Sequence, residues 1–280
     1  MAADNNAMPE ASPFAERLRA AVHASDSLLC VGLDPDPARF PGEWRGDAAR
    51  MAAFCCAIVD ATHDLAAAFK PQIAYFAACA AEDQLQRVID HIRQVAPGKP
   101  IVLDAKRGDI GDTAKLYARE AFERYGADAV TLSPYMGFDT IEPYLAWADR
   151  GVFLLCRTSN PGGDELQMQR LADLPGQPRV FEMLASRAAA QAGGQVGLVV
   201  GATYPHELAR VRELAPQVPL LVPGVGAQGG DAAATVRANG AGPMLVNSSR
   251  AILYAGTRLA DFAERARDAA LATRDALRKA

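Results

Sequence analysis

The chain has 280 residues, half of them hydrophobic and 22% charged. That balance supports a large buried core and excludes disorder over most of the length. Lysines and arginines number 29 against 33 aspartates and glutamates, a formal net charge of −4. Bulk binding to nucleic acid or to an anionic membrane is excluded, and a local pocket for one phosphate is not.

Residues 1–12 read as a polar tail without the basic start and apolar stretch of a signal peptide. No unbroken apolar run approaches the roughly 18 residues a membrane span needs, so a soluble, cytoplasmic protein is expected. Residues 13–24 fit a short amphipathic helix with Pro13 in its first turn. Tail and helix together make up residues 1–26, ahead of one catalytic domain over 27–280.

Eight short β-rich runs follow, at 27–34, 67–74, 100–106, 128–134, 151–159, 195–203, 219–227 and 243–249. Most are continuously apolar, the pattern of strands buried on both faces. Between them, segments such as 81–96, 113–126 and 206–215 repeat their apolar residues at helical spacing, and 258–280 reads as one long final helix. Eight strands alternating with helices predict a single-domain α/β (β/α)8 TIM barrel. A doubly wound sheet is the competing architecture, but no GxGxxG follows the first strand. The widest gap, 160–194, reads as an elaborated loop plus a helix of the same barrel.

Chemistry in such a barrel belongs at the C-terminal strand ends. Those ends carry Asp34, Lys70, Asp104, Lys106, Asp109, Ser159, Gln228 and Arg250. In VLDAKRGDIGDT (102–113), Asp104 and Lys106 are two apart, so a regular strand points both toward the barrel mouth. A lysine among carboxylates stays protonated, which suits a proton donor or electrostatic stabiliser better than an amine nucleophile. The alternative is a structural ion-pair network, which the full set at four strand ends disfavours. A magnesium site on Asp34, Asp104 and Asp109 would have ammonium groups wedged among its ligands, so no metal is expected. A Schiff-base aldolase would want a lysine of depressed pKa, and the sixth run has no lysine.

Two further segments suit a phosphate. PGVGAQGGD (223–231) has glycines that let the backbone approach closely, and NSSRAILYA (247–255) supplies Arg250, whose planar fork can hold two oxygens. TSNPGG (158–163) places Ser159 where it could hydrogen-bond a heterocycle or amide. The five cysteines, Cys30, Cys55, Cys56, Cys79 and Cys156, include no CxxC pair and are expected as reduced core residues. The four histidines, His23, His63, His91 and His206, show no partner pattern.

LDAKRGDIGDT, FKPQ, TSNPGG, PGVGAQGGD and NSSRAI, in this order, closely resemble the orotidine 5′-phosphate decarboxylase family, and most of all its longer bacterial branch. The resemblance covers about residues 27–256. It implies a dimeric barrel with shared active sites, no metal and no organic cofactor. The implied reaction is loss of CO2 from orotidine 5′-phosphate to give uridine monophosphate, the last step of pyrimidine nucleotide synthesis. By motif, Lys106 matches the lysine that protonates C6 and Asp104 the aspartate beside the substrate carboxylate. Asp109 and Thr113 match residues that reach the partner subunit's site, and Lys70 and Asp34 match the ribose-side contacts. Ser159 matches the pyrimidine contact, while Gln228 and Arg250 match the phosphate grip, with Pro223 and Gly229 in the same glycine-rich loop counted as substrate contacts. Asp36 has no matching role. The loops at 160–166 and after Gln228 are the expected movers. A magnesium-dependent enediolate enzyme of the same superfamily would carry an acid where this chain has Lys70, and a nucleotide-binding sensor would have lost a charge from the lysine cluster.

Overall fold

The computed structural model describes residues 13–191, 193–225 and 230–280. Eight strands form one parallel sheet: β1 Leu29–Leu33, β2 Ala68–Pro71, β3 Val102–Arg107, β4 Ala129–Leu132, β5 Gly151–Arg157, β6 Val196–Val200, β7 Leu220–Pro223 and β8 Met244–Ser248. The order β2-β1-β8-β7-β6-β5-β4-β3 is closed by parallel bridges from Phe69 to Ile101 and from Gln72 to Asp104. The expected (β/α)8 barrel is the observed fold.

Helix α1 (Phe14–Ser25) precedes the barrel. Around it stand α2 (Met51–Thr62), α3 (Glu82–Val95), α4 (Gly111–Arg119), the short α5 (Glu142–Leu145), α6 (Val180–Ala189), α7 (Pro205–Leu214), α8 (Ala232–Asn239) and α9 (Phe262–Arg278). α3 shows why these segments are helical: Leu85, Val88, Ile89 and Ile92 fall at i, i+3, i+4 and i+7 and are all buried. The expected single helix over 113–126 divides, with α4 passing at Glu120 into a wider π turn, Glu120–Arg124. There Glu120 accepts from Arg107 Nε and Nη2 at 2.9–3.2 Å, which ties the end of β3 to its own helix.

Two apolar layers hold the barrel. The outer one lies between strands and helices, with Leu29, Phe54, Ile58, Phe69, Leu103 and Phe181 among its fully buried members. The inner one fills the barrel's lower half with Cys30, Ala67, Val102, Ala129, Phe153, Val199, Leu221 and Leu245. α1 belongs to this inner layer. Phe14 enters from below and meets Phe153 edge-on at 5.7 Å. Two glycines make the room: a Cβ on Gly151 would lie 2.2 Å from the Phe14 ring, and one on Gly197 would lie 2.6 Å from that of Phe153. At the same lower end, buried Asp128 accepts from Arg17 at 2.9 Å, Arg93 at 2.6 Å, Arg150 at 3.3 Å and the Ile101 N–H at 2.8 Å.

Cys30, Cys55 and Cys156 are buried and Cys56 is half-buried, whereas Cys79 is exposed. Cys79 lies in the turn leading into α3, so the expectation of a core position fails for it. His91 does have a partner, Asp60 of α2 at 2.6 Å on the surface.

Candidate active site

A cavity of about 570 Å³ opens at the C-terminal ends of the strands, within the range of about 300–1,000 Å³ usual for small-molecule sites. Asp34, Lys70, Asp104, Lys106, Ser159, Pro223 and Arg250 all line it. They arrive from six different strand ends, brought together by barrel closure alone.

Asp104 is the centre of the charged floor. One carboxylate oxygen accepts from Lys70 Nζ at 2.6 Å and the other from Lys106 Nζ at 2.6 Å. Lys70 is also 3.9 Å from Asp34, so negative and positive groups alternate across the floor. Lys70 and Asp104 are buried, whereas Lys106 is about half-exposed toward the cavity. Burial alone would drive the Asp104 carboxyl up, but the Lys70 and Lys106 charges hold it well below the usual carboxylate range. Burial pulls Lys70 down, and Asp104 and then Asp34 more than offset that, so its ammonium titrates above the ordinary lysine value.

Asp104 and Lys106 meet, but not by regular strand alternation. Leu103 stands opposite Val130 and Arg107 opposite Leu132, so β3 advances four residues where β4 advances two. Asp104, Ala105 and Lys106 form the bulge between them, and Lys106 has φ +46°, in the left-handed region. Such a backbone in a non-glycine residue costs about 1–3 kcal/mol and persists only where its surroundings hold it. Thr131 of β4 is the neighbour that does so. Its Oγ1 accepts from the Ala105 N–H at 3.0 Å and the Lys106 N–H at 2.9 Å, and donates to Asp104 at 2.9 Å. Sequence reading missed Thr131. The available signal was one hydroxyl inside the apolar run AVTL.

Two buried acceptors on the cavity wall, Asp34 Oδ1 and Asn247 Oδ1, have no hydrogen-bond partner among the described residues. Both offer lone pairs to ligand donors. Gly32 is required beside them, since a Cβ there would meet Ser249 Oγ at 1.9 Å. Asp36 caps the turn Pro37–Arg39 by accepting from the Ala38 N–H at 3.0 Å. The Tyr254 hydroxyl bridges this loop, donating to the Asp34 carbonyl and accepting from the Asp36 N–H, each at 2.7 Å.

The loop after β5 covers one side of the cavity. Its anchor is Arg157, fully buried and stacked 3.7 Å from the Tyr204 ring, which reaches Asp164 at 2.5 Å. Gln167 closes the loop by accepting from the Thr158 N–H at 2.9 Å. Arg250 stands exposed at the rim, at the first turn of the helix Arg250–Leu253. Gln228 and Gly229 lie outside the described residues.

Asp109 and Thr113 are not part of the cavity wall. Asp109 is half-buried and accepts from the Ile110 N–H at 2.8 Å, and Thr113 is exposed on α4. A metal cluster of Asp34, Asp104 and Asp109 therefore does not assemble, and no group of three or more potential ligands gathers among the described residues.

Fold and cavity together define a barrel enzyme for a small anionic substrate, with charge chemistry on its floor and a cationic rim. The chain belongs to the orotidine 5′-phosphate decarboxylase / HUMPS family, whose model matches residues 27–264. The orotidine 5′-phosphate decarboxylase of Leptothrix cholodnii is 66% identical over 277 residues, covering 95% of this chain and 97% of that one. The enzyme of the same name from Methylibium petroleiphilum is 65% identical, covering 95% and 99%. The solved Leishmania donovani OMP decarboxylase is 40% identical with a TM-score of 0.77, covering 94% of this chain and 99% of that one.

Proposed function

We propose that this chain decarboxylates orotidine 5′-phosphate to uridine 5′-phosphate, a carboxy-lyase reaction of pyrimidine biosynthesis, with Lys106 as the proton donor. The observation that carries the mechanism is the Asp104 carboxylate held between two ammonium groups at 2.6 Å each. When the C6–carboxylate bond breaks, its electron pair remains on C6 in an orbital the ring delocalises poorly. The Lys106 ammonium stabilises that charge electrostatically and then gives C6 a proton, taking one back from solvent. Asp104 keeps Lys106 aimed, and Lys70 keeps Asp104 ionised.

The remaining roles are those of the matching family motifs, supported for Asp34, Ser159, Pro223 and Arg250 by their place on the cavity wall. Asp34 accepts from a ribose hydroxyl with the oxygen that has no hydrogen bond among the described residues, and Ser159 meets the pyrimidine. Arg250, with Pro223, Gln228 and Gly229 of the neighbouring loop, holds the phosphate. A reaction this slow without catalyst needs about 20 kcal/mol or more of transition-state stabilisation. Phosphate binding far from C6 supplies part of it by positioning the base.

Asp109 and Thr113 serve the active site of a second copy. Their place outside the cavity supports this, as do the exposed Ile110, Leu116, Tyr135 and Met136 on the segments after the adjacent strands β3 and β4. A homodimer buries that apolar surface. No helix among the described residues is long and apolar enough to cross a membrane, and we place the reaction in the cytoplasm.

The test is the fall in near-ultraviolet absorbance of orotidine 5′-phosphate on adding protein in excess EDTA, with uridine monophosphate as the product. Turnover is expected. Its absence, with magnesium-dependent activity on a keto-sugar phosphate, would move the chain to the enediolate branch. Mixing inactive Lys106→Ala and Asp109→Ala proteins should restore activity through hybrid dimers. No recovery despite proven subunit exchange would count against shared sites.

A further inference from the structure

We propose that Thr131 is a positioning residue for catalysis: its hydroxyl clamps the β3 bulge and thereby aims the Lys106 ammonium. The proposal rests on the decarboxylase reading above and adds a residue that the motif does not contain.

A threonine hydroxyl has one hydrogen to donate and two lone pairs to accept with. Thr131 uses all three, and all three go to the bulge: the Asp104 carboxylate, the Ala105 N–H and the Lys106 N–H. The side chain is buried at the cavity wall, directly beside the charged floor. The two N–H groups belong to residues that the bulge removes from regular pairing with β4. Accepting from both holds Lys106 at φ +46°. Donating to the same Asp104 oxygen that receives Lys106 Nζ fixes the carboxylate's rotation as well. Backbone and side chain of the Asp104–Lys106 pair thus refer to one oxygen atom. A merely structural threonine would hold β3 to β4 without touching the reacting lysine's partner.

Thr131→Val keeps the shape and removes all three bonds. Misplacing a reacting group by about 1 Å costs about 100-fold in rate. kcat for orotidine 5′-phosphate should therefore fall about 100-fold, with KM and the affinity for uridine monophosphate changed less than about threefold. Thr131→Ser, which keeps the oxygen, should restore kcat to within about fivefold of wild type. Should the valine variant fail to fold, Thr131→Cys, a weak donor and acceptor, is expected to lose kcat in the same direction. Unchanged kcat in folded Thr131→Val, or an equal loss in the serine variant, would overturn the proposal. A crystal structure of Thr131→Val gives a readout independent of turnover. Displacement of Lys106 from φ +46° is expected, and an unmoved Lys106 still 2.6 Å from Asp104 would overturn the clamp. Wild-type protein that does not decarboxylate would refute the activity reading instead, and that arm is measured first.

Discussion

Replacing Lys70 with Met tests the electrostatic account of the floor. Lys70 is fully enclosed, and its ammonium is 2.6 Å from Asp104. Removing it leaves a buried carboxylate with only the half-exposed Lys106 as an ionic partner. Breaking a buried pair on one side costs about 3–5 kcal/mol, a large share of the about 5–15 kcal/mol that holds a domain folded. At about 2–4 °C per kcal/mol for a chain of this size, Tm should fall by about 6–20 °C. The cost lies mainly in the orphaned charge, so the Lys70→Met/Asp104→Asn double variant should be more stable than Lys70→Met alone.

The pH dependence has a definite sign. The folded Asp104 carboxyl titrates below its unfolded value, so its contribution is present above about pH 3.9 and lost as pH falls through the folded value. Lys70 titrates above its unfolded value, so its contribution is complete below about pH 10.4 and lost as pH rises through the folded value. In the variant, protonating Asp104 relieves the uncompensated charge, so the gap to wild type should narrow on acidification toward about pH 4. Urea unfolding of wild type and variant at pH 7 and pH 4.5 measures that narrowing. A single variant within about 1 kcal/mol of wild type, or a double variant as unstable as the two single losses summed, would refute the reasoning.

Gly151→Ala drives a methyl to 2.2 Å from the Phe14 ring; overpacking of this kind costs about 1–3 kcal/mol, and the thermal shift should vanish when Phe14 is shortened to Ala. Asp128→Asn leaves three arginines around a neutral amide at the lower end of the barrel, away from the cavity, so unfolding should become easier by about 3–5 kcal/mol while kcat at 25 °C holds. Arg157→Met frees the loop after β5 from Asp164 and Tyr204; KM for the nucleotide should rise about tenfold with the loop no longer closing, and steady-state kinetics will show it.

The barrel was legible because eight apolar runs, each buried on both faces, cannot be packed in many other ways. Lys70, Asp104, Lys106, Ser159 and Arg250 were legible as polar residues standing where those runs end. The bulge in β3 was not. Two extra residues leave no mark on alternation, since a shift by two keeps every side chain on its face. Thr131 stayed hidden for the same reason, as its importance comes from a neighbour 25 positions away in sequence. α1 read as an appendage because amphipathicity names a buried face but not what it covers; Phe14 covers the barrel's open lower end.

That stopper has a consequence for traffic. With Phe14 and Phe153 filling the lower interior, the barrel behaves as a vial rather than a pipe. Among the described residues the cavity opens at the rim where Arg250 stands, the doorway by which substrate would enter and nucleotide and carbon dioxide would leave. On the proposed mechanism, carbon dioxide set free beside Lys106 would find no rear exit among the described residues, so the gas and the nucleotide would queue for the same opening. On the proposed mechanism, proton delivery to C6 would act as a ratchet, committing the reaction before the trapped gas recombines with the carbanion.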